Sequence, residues 1–244
     1  MSGAGTVALD IETVVRGSPA TARMEDHEVF CCCVAHRPAS DGPVESAVFV
    51  RDRWEPAGEL TVLEDTLRWV DDRPAETLLT YNGRDFDLPR LRARASATID
   101  ALGSTSPVLT NLETVLATRE HVDLFEAVTE PYERTYGHRP SFEAACEAVG
   151  VAVPETRLAD FDLGFIDFAA HRSTVDAMAP TLLGADVPVL GKRYLDLADA
   201  GATDTRTAKE IIAAVTDYAR ADVEPLFSLA DARPFEEALA AVGD

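Results

Sequence analysis

The chain has 244 residues, 46% of them hydrophobic, with 43 acidic against 22 basic side chains and a formal net charge of −21. That length and apolar content suit one α/β domain with a real core, and no apolar run approaches the roughly 18 residues that a membrane span needs. The charge balance lacks the basic footprint usual in nucleic-acid binders; only local arginine clusters such as Arg84, Arg90, Arg92 and Arg94 interrupt it.

Met1 to Gly5 shows no basic segment followed by an apolar one. No secretory leader is therefore expected, and the expected compartment is the cytoplasm. Thr6–Ile11 (TVALDI) reads as a strand cut by one aspartate. Glu28–Ala35 (EVFCCCVA) and Glu45–Val50 (ESAVFV) read as a hairpin around the turn-forming stretch Pro38–Pro43. Cys31, Cys32 and Cys33 are consecutive and no C-x-x-C pair exists, so small buried thiols filling a strand are expected rather than a zinc site or a disulfide framework.

Glu59–Val70 has apolar residues at helical spacing. Leu78–Tyr81 is a short strand ended by Asn82-Gly83, and a helix follows over Phe86–Ala97, with Asp85 suited to cap it. His121–Phe125 reads as a fifth strand, and Ser141–Val149 as a helix capped by Ser141 and ended by Gly150. Residues 154–204 mix acidic, Gly and Pro residues with short apolar pieces, which reads as an insertion or a long crossover. A last long helix starts near Thr207, where Thr207 and Glu210 form a capping-box pattern, and Pro225 should kink it.

Three segments carry carboxylates that suggest chemistry. Asp10 and Glu12 are one residue apart, and the period of a strand puts both on one face. Two bare acids on an apolar strand need a cation or several hydrogen bonds; the alternative is that Glu12 lies beyond the strand end in solvent. Asp87 falls near a helix start beside the first strand, either facing the sheet or complementing the helix N-terminus. Tyr218 and Asp222 are four apart on a helix and share a face, an arrangement also met at the border of any amphipathic helix. His121 and Asp123 share a strand face, either supporting the site by hydrogen bonds, holding metal or facing solvent.

Taken together, L-D-I-E-T, N-G-R-D-F-D and Y-A-R-A-D resemble, in that order, the DEDD superfamily of 3′→5′ exonucleases in its tyrosine-containing branch (DEDDy). Y-N-G-R-D-F-D-L-P-R-L is especially similar to the exonuclease domain of family B DNA polymerases. H-V-D-L-F, S-F-E-A-A-C-E-A-V-G-V and the stretch Pro188–Ala200 resemble little-characterised prokaryotic RNase-H-like proteins. The likeness spans roughly residues 5–230 and is sharp at the motifs, while 154–204 departs from the polymerase pattern.

The resemblance implies an α/β fold of ribonuclease-H-like class, a mixed five-stranded sheet flanked by helices, over residues 1–244 as one domain. It implies hydrolysis of nucleic-acid phosphodiester bonds by a two-metal-ion mechanism, with two Mg²⁺ or Mn²⁺ held by Asp10, Glu12, Asp87 and Asp222. Asp10 would bridge both ions, Glu12 and Asp222 would complete the water-carrying site, and Asp87 would serve mainly the second. Tyr218 would orient the attacking water. Asn82, Arg84 and Phe86 would touch the terminal nucleotide or support their loop. The expected partner is DNA or RNA with a single-stranded 3′ end, with no membrane partner. An endonuclease on the same fold, and an inactive module binding nucleic acid or protein, stand as alternatives. The acid surplus with only two lysines resembles the surfaces of proteins from salt-loving organisms, implying a halophilic archaeon as source; the rival reading is an acidic protein with basic partners.

Overall fold

The structure is a computed structural model that describes residues 5–17, 23, 26–40, 42–173, 176–235, 237 and 239. Met1 to Ala4, most of the stretch read for a leader, lie outside the described residues. Among the described residues no helix is long and apolar enough to cross a membrane.

Five strands form a mixed sheet: β1 (Thr6–Val14), β2 (Glu28–Arg37), β3 (Glu45–Val50), β4 (Thr77–Thr80) and β5 (Glu120–Asp123), in the order β3-β2-β1-β4-β5. β1 pairs antiparallel with β2 and parallel with β4, and β4 pairs parallel with β5. Helices cover both faces of the central strand, so its apolar residues divide by parity. Val7, Leu9 and Ile11 pack on one side, Ala8 and Val14 on the other. β1 runs past Ile11, so Glu12 stands within the strand; the register with β2 shifts just beyond it.

One face carries α1 (Pro56–Asp71), α2 (Asp87–Leu102) and α3 (Val108–Thr118). The other carries α4 (Leu124–Tyr136), α5 (Phe142–Ala148), α6 (Val187–Asp199), α7 (Arg206–Val223) and α8 (Pro225–Asp231). Cys31 and Cys33 face this second core and Cys32 the first; all are buried and free. Ser141 caps α5 by accepting from the Ala144 amide.

Several local expectations are corrected. α7 is capped by Thr205, which accepts from the Ala208 amide, rather than by Thr207. α7 stops at Val223 and a separate α8 opens on Pro225, where the missing N–H costs nothing. Asp85 does not cap α2: its N-cap position is Phe86, with no side-chain cap bond. The backbone turns tightly there instead, Phe86 N–H donating to Asn82 O at 3.0 Å and Leu88 N–H to Gly83 O at 2.9 Å. Within 154–204 lie three 3₁₀ turns, Leu158–Asp160, Phe168–Ala170 and Gly184–Asp186, and then α6. α6 buries Val187, Leu190 and Leu195, and its Gly191 lies so close to Phe30 that a Cβ would stand 2.9 Å from the ring.

A buried ion network ties β2, the segment just after β3, α1 and α2. The side chains of Arg51 and Glu59 are both fully buried. Glu59 accepts from the Val29 amide at 2.7 Å and takes a two-pronged bond from Arg94 at 2.8 and 2.6 Å. Arg51 donates to Glu28 at 2.6 Å and to the Arg53 and Trp54 carbonyls. Such charges persist in a core only when each is met by opposite charge and hydrogen bonds.

Candidate metal centre

Asp10 and Glu12 project from β1 towards the face covered by α7, the face that Ala8 and Val14 also occupy. α7 packs on β1 through Ala214, Val215 and Ala219, which turns Tyr218 and Asp222 towards the same point. One carboxylate oxygen each from Asp10, Glu12 and Asp222 lies within 4.8 Å of the others.

Asp87 reaches this place by another route. It opens α2, on the opposite side of the sheet, and arrives at the C-terminal end of β4 next to β1. Asp87 is 2% exposed, and among the described residues its Oδ1 finds no hydrogen-bond partner. It stands outside the group of three but close enough to act on Asp10 and Glu12 electrostatically.

The four acids oppose one another's ionisation. Burial and then Asp87 push Asp10 well above the usual carboxylate range, against a lowering by the Ile11 amide. Glu12 is raised by burial and by Asp10, Asp222 and Asp87 in turn. Asp222 is raised by burial and Asp10, with its hydrogen bond from Tyr218 opposing. Asp87 is pushed up to about 7 by burial and by Asp123, with Arg90 opposing. Like charges gathered in a low dielectric take up protons unless a cation relieves them. Among the described residues the donors are all carboxylate oxygens, with neither imidazole nor thiolate, and one buried oxygen finds no partner. Hard divalent ions such as Mg²⁺ or Mn²⁺ fit that set.

Tyr218 is half-buried, and its hydroxyl donates to Asp222. Burial, then Asp222, Glu12 and Asp10, raise its pKa far above the ordinary value of 10. The phenol therefore stays protonated at neutral pH and can position a neighbour but not accept its proton. Beside it opens a cavity of about 730 Å³, lined by Val151, Val153, Leu182 and Leu183 and by Glu143 and Glu147; among the described residues no lysine or arginine lines it.

The 82–86 loop is held from β5. Asp123 accepts from the Asn82 amide at 2.7 Å, the Arg84 amide at 2.8 Å and the Phe125 amide at 3.1 Å. Asn82 sits at φ +63°, a conformation open to Asn at small cost. Gly83 is required beside it, because a Cβ there would stand 2.4 Å from Thr80. The Arg84 guanidinium is exposed and pairs with Glu126 at 2.9 Å, and the Phe86 ring lies 3.3 Å below the Arg90 guanidinium. His121 turns to Thr80, 2.9 Å from its hydroxyl. Asp123 is thus a loop anchor and the cap of α4. The pattern Asp123-Leu-Phe-Glu126, an acid three residues before a glutamate, was the sequence signal for that cap.

No protein-family model matches the sequence, and no curated protein matches it. Among solved structures, the chain is similar to the family B DNA polymerase from the hyperthermophilic archaeon Pyrobaculum calidifontis, with a TM-score of 0.55 and 19% identity, covering 97% of this chain and 27% of the polymerase. A weaker likeness is to exonuclease I, with a TM-score of 0.40 and 15% identity over 81% of this chain and 43% of that one. The chain therefore spans less than half the length of either protein. The likeness to the polymerase is one of fold: a mixed five-stranded sheet flanked by helices, of the ribonuclease-H-like α/β class.

Proposed function

We propose that the chain is a metal-dependent 3′→5′ exonuclease of the tyrosine-containing DEDD type, acting on a single-stranded 3′ end of DNA or RNA. The observation that carries this reading is the meeting of Asp10 and Glu12 from β1 with Asp222 from α7, carboxylate oxygens within 4.8 Å, and with buried Asp87 at their side. The three segments are far apart in the chain and unrelated in local structure, so their acids converge only through the fold.

In this reading Asp10, Glu12, Asp87 and Asp222 would hold two Mg²⁺ or Mn²⁺ ions. Bound there, the ions supply an activated water and stabilise the leaving 3′ oxygen. Tyr218 orients the attacking water through its hydroxyl and stays protonated throughout. Asn82, Arg84 and Phe86 bound the approach to the site, with the loop's backbone already fixed by Asp123. The acid surplus and scarcity of lysine go with a protein that works in a salt-rich cytoplasm, where screening shortens charge repulsion to about 3 Å at 1 M.

End-labelled single-stranded DNA and RNA, each with a free or a blocked 3′ end, test the reading in Mn²⁺ and molar salt. Stepwise shortening of the free-ended strands alone is expected. Cleavage within the blocked strands would replace it with an endonuclease, and no metal-dependent cleavage of any strand would remove it.

A further inference from the structure

The strap between α5 and α6 makes contacts that its irregular sequence does not announce. Its two ends pair with each other: Arg157 bridges Thr181, the Leu158 amide donates to Pro180 O at 2.9 Å, and the Leu182 amide donates to Thr156 O at 2.8 Å. Arg172 gathers the far end, donating to Ala179 O and Thr181 O at 2.8 Å each and to Asp186 at 2.9 and 2.5 Å. The side chains of that ion pair are 1% and 0% exposed, and Asp186 also accepts from the Leu183 amide at 2.8 Å.

The strap then meets α7 at two successive residues, Asp217 and Tyr218. The Thr156 hydroxyl donates to Asp217 at 2.8 Å. At Gly184 a Cβ would stand 3.2 Å from the Tyr218 hydroxyl, the one atom of the described residues it would meet within 4 Å. A glycine is not demanded there by backbone geometry, since its φ is not in the left-handed region. What it provides is room for the phenol.

We propose that the strap is a positioning element for Tyr218: Gly184 and Thr156 set where the phenol hydroxyl stands over Asp222, and the buried Arg172–Asp186 pair holds Gly184 in place. The hydroxyl is fixed on one side by its bond to Asp222 and on the other faces Gly184, where any side chain's first carbon would stand 3.2 Å from it. A displacement of a fraction of an ångström at the strap is passed to the group that orients the water. The kinetic consequence rests on the exonuclease reading; the structural coupling does not.

The test uses the full chain labelled with 3-fluorotyrosine, whose five resonances include one lost in Tyr218→Phe. Gly184→Ala and Thr156→Val are mild enough to spare the buried ion pair. Both should move the Tyr218 fluorine resonance in metal-free protein, while Met178→Ala, at an exposed strap position, leaves it in place. On a single-stranded substrate with Mn²⁺, Gly184→Ala should lower kcat roughly 10-fold with KM unchanged. In a Tyr218→Phe background the same change should cost nothing more, because the hydroxyl it meets is gone. An unmoved resonance, or a kcat loss that persists in the Phe background, would overturn the proposal. If no variant, nor the parent, hydrolyses the strand, the exonuclease reading fails and the resonance alone decides the coupling.

Discussion

Asp123 and Asp87 are two buried carboxylates at the same end of the sheet with opposite hydrogen-bond fates. Asp123 spends both oxygens on the backbone amides of the 82–86 loop, while Asp87 Oδ1 meets no partner among the described residues. The first fixes the loop from which the second is presented, and its charge helps to push Asp87 up to about 7.

Asp123→Ala should therefore loosen the loop. Three charge-assisted bonds vanish, two to the loop and one that caps α4, and part-buried amides are left without acceptors, a loss of about 2–4 kcal/mol. Urea unfolding of parent and variant measures it. A variant as stable as the parent would mean that the loop holds itself.

The Glu59 network offers a second test of the fold. Glu59→Gln removes the charge that faces Arg94 and Arg51 inside the core, and breaking a buried pair typically costs about 3–5 kcal/mol. Replacing Glu59 and Arg94 together by Met should recover part of that loss. The readout is the denaturation midpoint of single and double variants at one salt concentration.

The acids of the site make metal-free stability depend on pH in a stated direction. Folding raises Asp87 from 3.8 to about 7, so the folded chain holds a proton that the unfolded chain has released. The stabilisation from that proton is complete below 3.8 and is lost as pH rises through about 7. Asp87→Asn should reduce this slope in metal-free protein, with the raised Asp10, Glu12 and Asp222 supplying what remains. Added Mn²⁺ should raise the melting temperature of the parent, and more so at the upper end of the window, where fewer protons compete for the oxygens. Thermal melts across that range, with and without metal, check both parts.

Much of this arrangement was legible because short-range periodicity is simple. Two acids one residue apart in a strand share a face, and a tyrosine and an aspartate four apart on a helix do too. The bounds of β3 follow directly from its apolar run. α6 was hidden because its apolar residues follow a stretch rich in acid, Gly and Pro, and are sorted only by packing on β1 and Phe30. α4 carries Pro131 inside it, which argues against a helix by local rules; tertiary burial of Leu124, Val128 and Tyr132 outweighs that. Asp85 looks like a cap by its position, yet the tight turn at Asn82-Gly83 lets the backbone satisfy the first amides itself. Arg51 stands just past β3 and Glu59 on α1, and no local pattern marks an ion pair formed across the bend between them.

The most direct measurement is Mn²⁺-dependent hydrolysis of a labelled single strand by Asp10→Asn and Asp222→Asn, beside calorimetric Mn²⁺ binding and a melt to show that each variant is folded. The expected result is folded proteins whose Mn²⁺ affinity is weakened and whose turnover falls by at least about 10³-fold, as when a catalytic metal loses a carboxylate that holds it. Folded Asp10→Asn protein that binds Mn²⁺ and cuts the strand like the parent would contradict it.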